Sequence, residues 1–185
     1  MKRLDRKNIN TKEYLNGIYT GDWEAGYRDA YNRLDVVISN LGKFNKHLDV
    51  GCANGYFTRT YTKKYPDTKG WGVDISDSAI EQSINLGGGT FQVSDVYSLP
   101  FVDTFDLVHM GEVLEHLEYP DRAIKEMERV ANTIIITTPN NGGGNDKEHL
   151  WAWEPKEIVS LFSHRVLLVD EHYFNGNLLY ILASK

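Results

Sequence analysis

The residues best suited to chemistry stand where apolar runs of this chain end. The sharpest case is His47-Leu48-Asp49-Val50-Gly51-Cys52-Ala53-Asn54-Gly55-Tyr56-Phe57, where a short apolar run meets an acid, breaks into the turn Asp-x-Gly-x-Ala-x-Gly and restarts as a helix. Small residues at alternate positions let the backbone pass close to a ligand without Cβ clashes. A turn of this kind suits a nucleotide-like cofactor. Further acids follow at equivalent places: Asp74 after Trp71-Gly72-Val73, Asp95 after Phe91-Gln92-Val93-Ser94, and Glu112 after Met110-Gly111. Asp74 lies 23 residues beyond Gly51, close to the spacing expected of a carboxylate that accepts ribose hydroxyls. Asp95 can accept from an exocyclic amine and the Val96 N–H can donate to a ring nitrogen, while Ile75 and Met110 supply apolar contacts to the ring faces. Each residue alone has a plain structural reading, since an acid after a strand is usually a turn or helix cap. Four in chain order carry more weight.

These residues need elements that bring them to one edge. Trp23, Tyr27, Ala30, Tyr31, Leu34, Val37, Ile38 and Leu41 recur at helical steps, so Asp22–Leu41 reads as a leading amphipathic helix, capped by Asp22 and stopped by Gly42. Strands are expected over Lys46–Val50, Lys69–Val73, Thr90–Val93, Thr104–Met110 and Thr133–Thr138, with helices over Tyr56–Tyr65, Ser76–Leu86 and Pro120–Val130. Alternation of this kind implies an α/β fold, a doubly wound, mostly parallel sheet covered on both faces. Pro155 is placed to open a helix over Lys156–Phe162. Arg165–Phe174 and Leu178–Ala183 flank Asn175-Gly176-Asn177, a turn signal, so the sheet is expected to finish in an antiparallel hairpin. Residues 1–20 read as a loose N-terminal arm, and the whole of 1–185 as a single domain.

Composition narrows the class. The chain has 185 residues, 41% hydrophobic and 25% charged, as in ordinary globular proteins. The net charge of −6 disfavours a broad nucleic-acid face. No apolar run reaches membrane-span length, and the charged N-terminus lacks the apolar core of a secretory signal. A single cysteine, Cys52, suits a reducing compartment, so a cytoplasmic location is expected.

With these features in place, the chain resembles the class I S-adenosylmethionine-dependent methyltransferases, in particular their small single-domain members of type 11/23. The resemblance rests on HLDVGCANGYFT, WGVDIS, FQVSDV, FDLVHMGEVLEHL and TIIITTPN, within residues 46–140. It implies a Rossmann-like fold, S-adenosylmethionine as cofactor and S-adenosylhomocysteine as product. It further implies that Gly51, Cys52, Ala53 and Gly55 line the methionine side and that Asp49 holds the methionine amino group. Asp74 would take the ribose, and Asp95 with Val96 the adenine. Ala53 stands where the family often has a second glycine. A dinucleotide dehydrogenase fits less well, because its G-x-G-x-x-G wants a third glycine that is absent here, and Asp49 suits an ammonium better than a pyrophosphate.

Methyl transfer from a sulfonium is driven largely by placing the acceptor in line with the methyl group, aided by a base where the acceptor must lose a proton. Glu112 and His149 are the candidate catalytic residues, with Trp151 and Trp153 as a possible apolar acceptor wall and the Gly142–His149 loop as a lid over the cleft. Tyr14 and Tyr19 are further candidates to close over the cofactor. The expected acceptor is a small molecule, or a small group on a larger one. Two alternatives stay open. Glu112, Glu115, His116 and His149 resemble the metal set of the small-RNA 3′-end 2′-O-methyltransferases, although Glu-Val-Leu-Glu-His-Leu also occurs in metal-free relatives, so no metal ligand is assigned. The chain could also be a cofactor-binding partner subunit without turnover.

Overall fold

Strand parity decides how this chain layers. In Lys46–Val50, Leu48 and Val50 point to one face while His47 and Asp49 point to the other, and in the fifth strand Val108 and Met110 oppose Leu107 and His109. Both faces are therefore buried, as parallel sheets require. The computed structural model describes residues 2–20, 28–140, 146–172 and 178–185. Its elements are β1 (Lys2–Arg3), α1 (Lys12–Ile18), α2 (Arg28–Asn40), β2 (Lys46–Val50), α3 (Tyr56–Lys64), β3 (Lys69–Asp74), α4 (Asp77–Leu86), β4 (Thr90–Val93), β5 (Phe105–Gly111), a 3-10 turn (Leu114–His116), α5 (Pro120–Val130), β6 (Ala131–Pro139), β7 (Trp151–Ala152), α6 (Pro155–Val159), β8 (Arg165–His172) and β9 (Leu178–Ser184).

The main sheet has seven strands in the order β4-β3-β2-β5-β6-β9-β8. Pairing is parallel from β4 through β6, and antiparallel between β6 and β9 and between β9 and β8. The expected Rossmann-like sheet with a C-terminal antiparallel pair is what forms. Its Asn175–Asn177 turn lies outside the described residues. The order reverses at β2, whose neighbours are β3 and β5. Loops leaving β2 and β5 diverge there and open a crevice beyond the strand C-termini, where ligands bind in such sheets.

One face is covered by α5, which buries Ala123, Ile124, Met127 and Val130 against Leu48, Val50, Val108, Met110, Ile134 and Ile136. Pro120 at its first turn and Arg129 in its last suit the helix ends. On the other face α2 and α3 bring Val37, Ile38, Leu41, Phe57 and Tyr61 onto Leu107, Ile135 and Tyr180. The three threonines of α3 do not prevent the helix, because Phe57, Thr58 and Tyr61 are buried on the sheet, and packing outweighs propensity.

Two expectations are revised, and a third falls partly outside the described residues. The leading helix is described only over Arg28–Asn40; Asp22, Trp23 and Tyr27 lie outside the described residues. The final helix ends at Val159, because the Leu161 and Phe162 N–H groups bond three residues back and tighten the last turn. Residues 2–20 are not a loose arm. Thr11 caps α1 through the Tyr14 N–H, and β1 pairs with β7 through Lys2–Ala152 and Arg3–Trp151.

Candidate functional site

The crevice at the switch point is a cleft of about 700 Å³. Its floor begins at the turn after β2. Gly51 has φ +76°, and a Cβ there would fall 2.4 Å from Val113 Cγ2, so both backbone and space call for glycine. The Gly51 and Cys52 N–H groups both donate to the Val73 carbonyl, which pins the turn across the end of β3. Ala53 also sits at positive φ, +47°. A small residue is tolerated there and lines the cleft.

Asp74 closes β3 and is almost wholly buried. Its Oδ2 accepts from the Ala53 N–H at 2.9 Å and its Oδ1 from the Ser76 N–H at 2.9 Å. Burial raises its pKa, and those N–H donors pull it back. The carboxylate is thereby fixed in place where it lines the cleft. Asp95 accepts from the Tyr97 N–H at 2.9 Å, and Ile75, Asp95 and Val96 all line the cleft.

Asp49 lines the cleft from β2. Its Oδ1 lies 2.8 Å from His109 Nδ1 on the neighbouring strand, where the two residues share a register position. The His109 ring stacks on Phe57 at 3.8 Å between centroids. His109, not singled out in the sequence, lines the cleft and orients Asp49. The signal was available: parallel pairing of β2 with β5 places two same-face polar residues side by side.

Two of the expected cofactor contacts are corrected. Met110 is fully buried in the α5-side core and does not line the cleft, because strand parity turns it away while His109 and Gly111 face the opening. Gly55 does not line it either. With φ +79°, it starts α3 against Phe91, whose Cε1 would lie 2.5 Å from an added Cβ. Cys52 does line the cleft, buried beside Ile80 and Phe91, and burial pushes its thiol pKa up. An inert filler fits that setting.

The other end of the cleft is built by the turn after β5 and the segment before β7. Glu112 sits at φ +57°, a conformation rare for a side chain with a Cβ and often found at functional turns. Its Oε2 pairs with Arg33 of α2 at 3.1 Å, while its Oε1 is buried and has no partner among the described residues. Arg33 was not singled out in the sequence. Burial raises the Glu112 and Glu115 carboxyls, the two repelling each other at Glu112, and burial lowers His116.

Glu115 is buried; its Oε2 accepts from Thr138 Oγ1 at 2.9 Å, and its Oε1 lies 3.6 Å from His116 Nε2 and 4.0 Å from His149 Nε2. Donor atoms of these three residues lie within 4.8 Å of one another. Glu112 is not part of that cluster, so the four-residue set suggested by the sequence becomes three. Trp151 and Trp153 do not form an acceptor wall. They stack on each other at 5.5 Å within the core, with Trp151 Nε1 donating to the Leu117 carbonyl. The glycines of the expected lid, Gly142–Gly144, lie outside the described residues.

Residues 4–19 strap the cleft. At the acceptor end Asn10 Nδ2 donates to the carbonyls of His116 and Glu148, Arg6 to those of Asp146 and His149, and Tyr14 Oη to the Glu148 carboxylate. At the cofactor end Lys12 pairs with Asp77, and Asn16 accepts from Ser76 Oγ at 2.8 Å. Leu15, Ile18 and Tyr19 line the cleft.

The seven-stranded sheet thus brings acids from four consecutive strand ends into one cleft. Residues 48–133, just under half of the chain, match the family model described as a methyltransferase domain. Among curated proteins, a demethylmenaquinone methyltransferase from Chlamydia muridarum is 34% identical over 97 residues, covering 50% of this chain and 42% of that protein. The chain spans about half the length of the curated relatives it matches, 42 to 59%. Among solved structures, a chain from the Haloferax volcanii complex of the Trm112 methyltransferase activator with a methyltransferase superposes with TM-score 0.80, 15% identity and coverage of 92% and 96%. Magnesium protoporphyrin IX methyltransferase from Synechocystis PCC 6803, solved with bound S-adenosylhomocysteine, superposes with TM-score 0.71, 16% identity and 97% coverage of each chain. At these identities the structures attest the fold.

Proposed function

We propose that this chain transfers the methyl group of S-adenosylmethionine to a small-molecule acceptor, or to a small group on a larger one, and releases S-adenosylhomocysteine. The observation that carries this reading is the convergence of Asp49, Asp74, Asp95 and Glu112, from four consecutive strand ends, on one cleft. Asp49, steadied by His109, takes the methionine ammonium beside Gly51, Cys52 and Ala53. Asp74 takes the ribose hydroxyls, with Ile75 against the ring, and Asp95 and Val96 take the adenine edge. The acceptor enters at the Glu112 and His149 end. Its nucleophilic atom attacks the methyl carbon, the carbon–sulfur bond breaks with its pair going to sulfur, and a proton lost by the acceptor passes to a base. Glu112 is the first candidate, since a carboxyl raised toward neutral pH can both take and release a proton; His149 is the second.

Small acceptors are favoured by the net charge of −6, which repels a polyanion, and by the quinone and porphyrin named for the similar methyltransferases. The test is release of S-adenosylhomocysteine when the protein meets S-adenosylmethionine and fractionated metabolite extract. Product in a small-molecule fraction is expected. Cofactor binding without product from any fraction, RNA included, would leave a partner subunit without turnover as the better reading.

A further inference from the structure

Given methyl transfer as the reaction, on which this rests, we propose that the acceptor is an amine, held in the cleft as its ammonium ion and methylated on nitrogen. Eight carboxylates line the cleft and, among the described residues, a single Lys or Arg side chain, that of Arg33. The proposed cofactor site takes Asp49, Asp74 and Asp95. Glu112, Glu115, Glu118, Asp146 and Glu148 remain, all from the segments that build the other end. A cleft lined by one sign of charge focuses the field and concentrates ions of the opposite sign.

Three of these acids are matched within the chain. Arg3 pairs with Glu118 at 2.7 Å, Tyr14 Oη donates to Glu148 at 2.5 Å, and Asp146 accepts from the Glu148 N–H at 2.9 Å. The other two each leave an oxygen over. Arg33 pairs with Glu112 Oε2, while Glu112 Oε1 is buried with no partner among the described residues. Glu115 is 1% exposed, and its Oε1 makes no hydrogen bond among those residues: His116 Nε2 and His149 Nε2 stand 3.6 and 4.0 Å away. A buried carboxylate short of partners is costly. An ammonium supplies both the missing charge and several N–H donors. A hydroxyl supplies one donor and no charge, and a carboxylate or phosphate adds to the repulsion. Leu15, Ile18, Ala30 and Leu34 of α1 and α2 also line the cleft, so an apolar body suits the group that carries the amine.

The charge that binds and the atom that reacts are then the same. The ammonium gives one proton to Glu112. The freed nitrogen lone pair attacks the methyl carbon, and the carbon–sulfur bond breaks with its pair going to sulfur. The N-methylated ammonium and S-adenosylhomocysteine leave, and Glu112 returns its proton to solvent.

The full chain is tested with methyl-labelled S-adenosylmethionine and metabolite extract split on a cation exchanger at pH 7. Label is expected in the retained fraction, and is lost once the amines of that fraction are acetylated. Label in the flow-through alone, in no fraction, or in acetylated material overturns the amine. A second measurement isolates the charge. Phenylethylamine, phenylethanol and phenylacetate share one apolar body and differ in the head group, and each is titrated calorimetrically into the chain with S-adenosylhomocysteine present. The amine is expected to bind more tightly than the alcohol, and the acid not at all. Glu115→Gln weakens the amine roughly 10- to 100-fold and leaves the alcohol unchanged, whereas loss of a purely structural role weakens both alike. An amine that binds no better than the alcohol or the acid overturns the assignment on the parent chain alone, whether or not the variant folds. A chain that binds neither S-adenosylmethionine nor S-adenosylhomocysteine overturns the methyltransferase reading instead; the amine preference, titrated again without cofactor, then stands or falls by itself.

Discussion

Asp74 carries the strongest single-residue claim. Its two oxygens are already oriented by the Ala53 and Ser76 N–H groups, so ribose hydroxyls meet an acceptor that needs no reorganisation. Hydrogen bonds to a charged group contribute about 1.5–3 kcal/mol each. Asp74→Asn keeps one accepting oxygen and is expected to weaken S-adenosylmethionine binding on the order of 100-fold, measured by titration, with secondary structure unchanged by circular dichroism. His47 supports a different prediction. Both ring nitrogens are buried without a partner among the described residues, edge-on to Tyr61 at 4.7 Å. Burial, with His109 adding to it, lowers its pKa from 6.5 to about 3. The folded state keeps the ring neutral while the unfolded chain protonates, so stability falls as pH drops from 6.5 toward about 3. Near pH 5 the loss is about 2 kcal/mol, at about 1.36 kcal/mol per pH unit. In His47→Leu, denaturant midpoints at pH 7 and pH 5 should differ by less than in the parent chain; an unchanged difference would place the acid sensitivity elsewhere.

At the scale of elements, the strap joins the two ends of the cleft. It reaches Glu148 and His116 through Asn10 and Ser76 through Asn16. Its short helix buries no residue completely, so these polar contacts hold much of it, and such segments open locally at small cost. Asn10→Ala is expected to raise amide hydrogen exchange across residues 8–19 and to speed cofactor dissociation several-fold, read by stopped-flow displacement; protected amides with unchanged release would make the strap a passive cover. The sequence shows why this element escaped notice: residues 1–20 have little apolar period, and their order comes from side chains bonding to distant backbone. The sheet was legible for the opposite reason. Apolar runs bounded by Gly51, Asp74 and Gly111 mark strand ends locally. Met110 was misassigned because its position at a strand end was right and its parity was not weighed. Trp151 and Trp153 read as an acceptor wall because they follow a long Gly-rich segment, whereas both are buried in the core.

For the whole molecule, the fold places two chemistries at one edge of the sheet. In the proposed reading, Asp49, Asp74 and Asp95 form the cofactor side of the cleft and Glu112 and His149 the acceptor side, and all five line it. Among the described residues no helix is long and apolar enough to cross a membrane, and the net charge of −6 favours uncharged or cationic acceptors. The central claim is that this cleft takes S-adenosylmethionine. The most direct test is calorimetric titration of the chain with S-adenosylmethionine and S-adenosylhomocysteine, beside Asp74→Asn. One site per chain with micromolar affinity, sharply weakened in the variant, is the predicted result. A folded chain that binds neither compound, or binds them equally well without the Asp74 carboxylate, would contradict it.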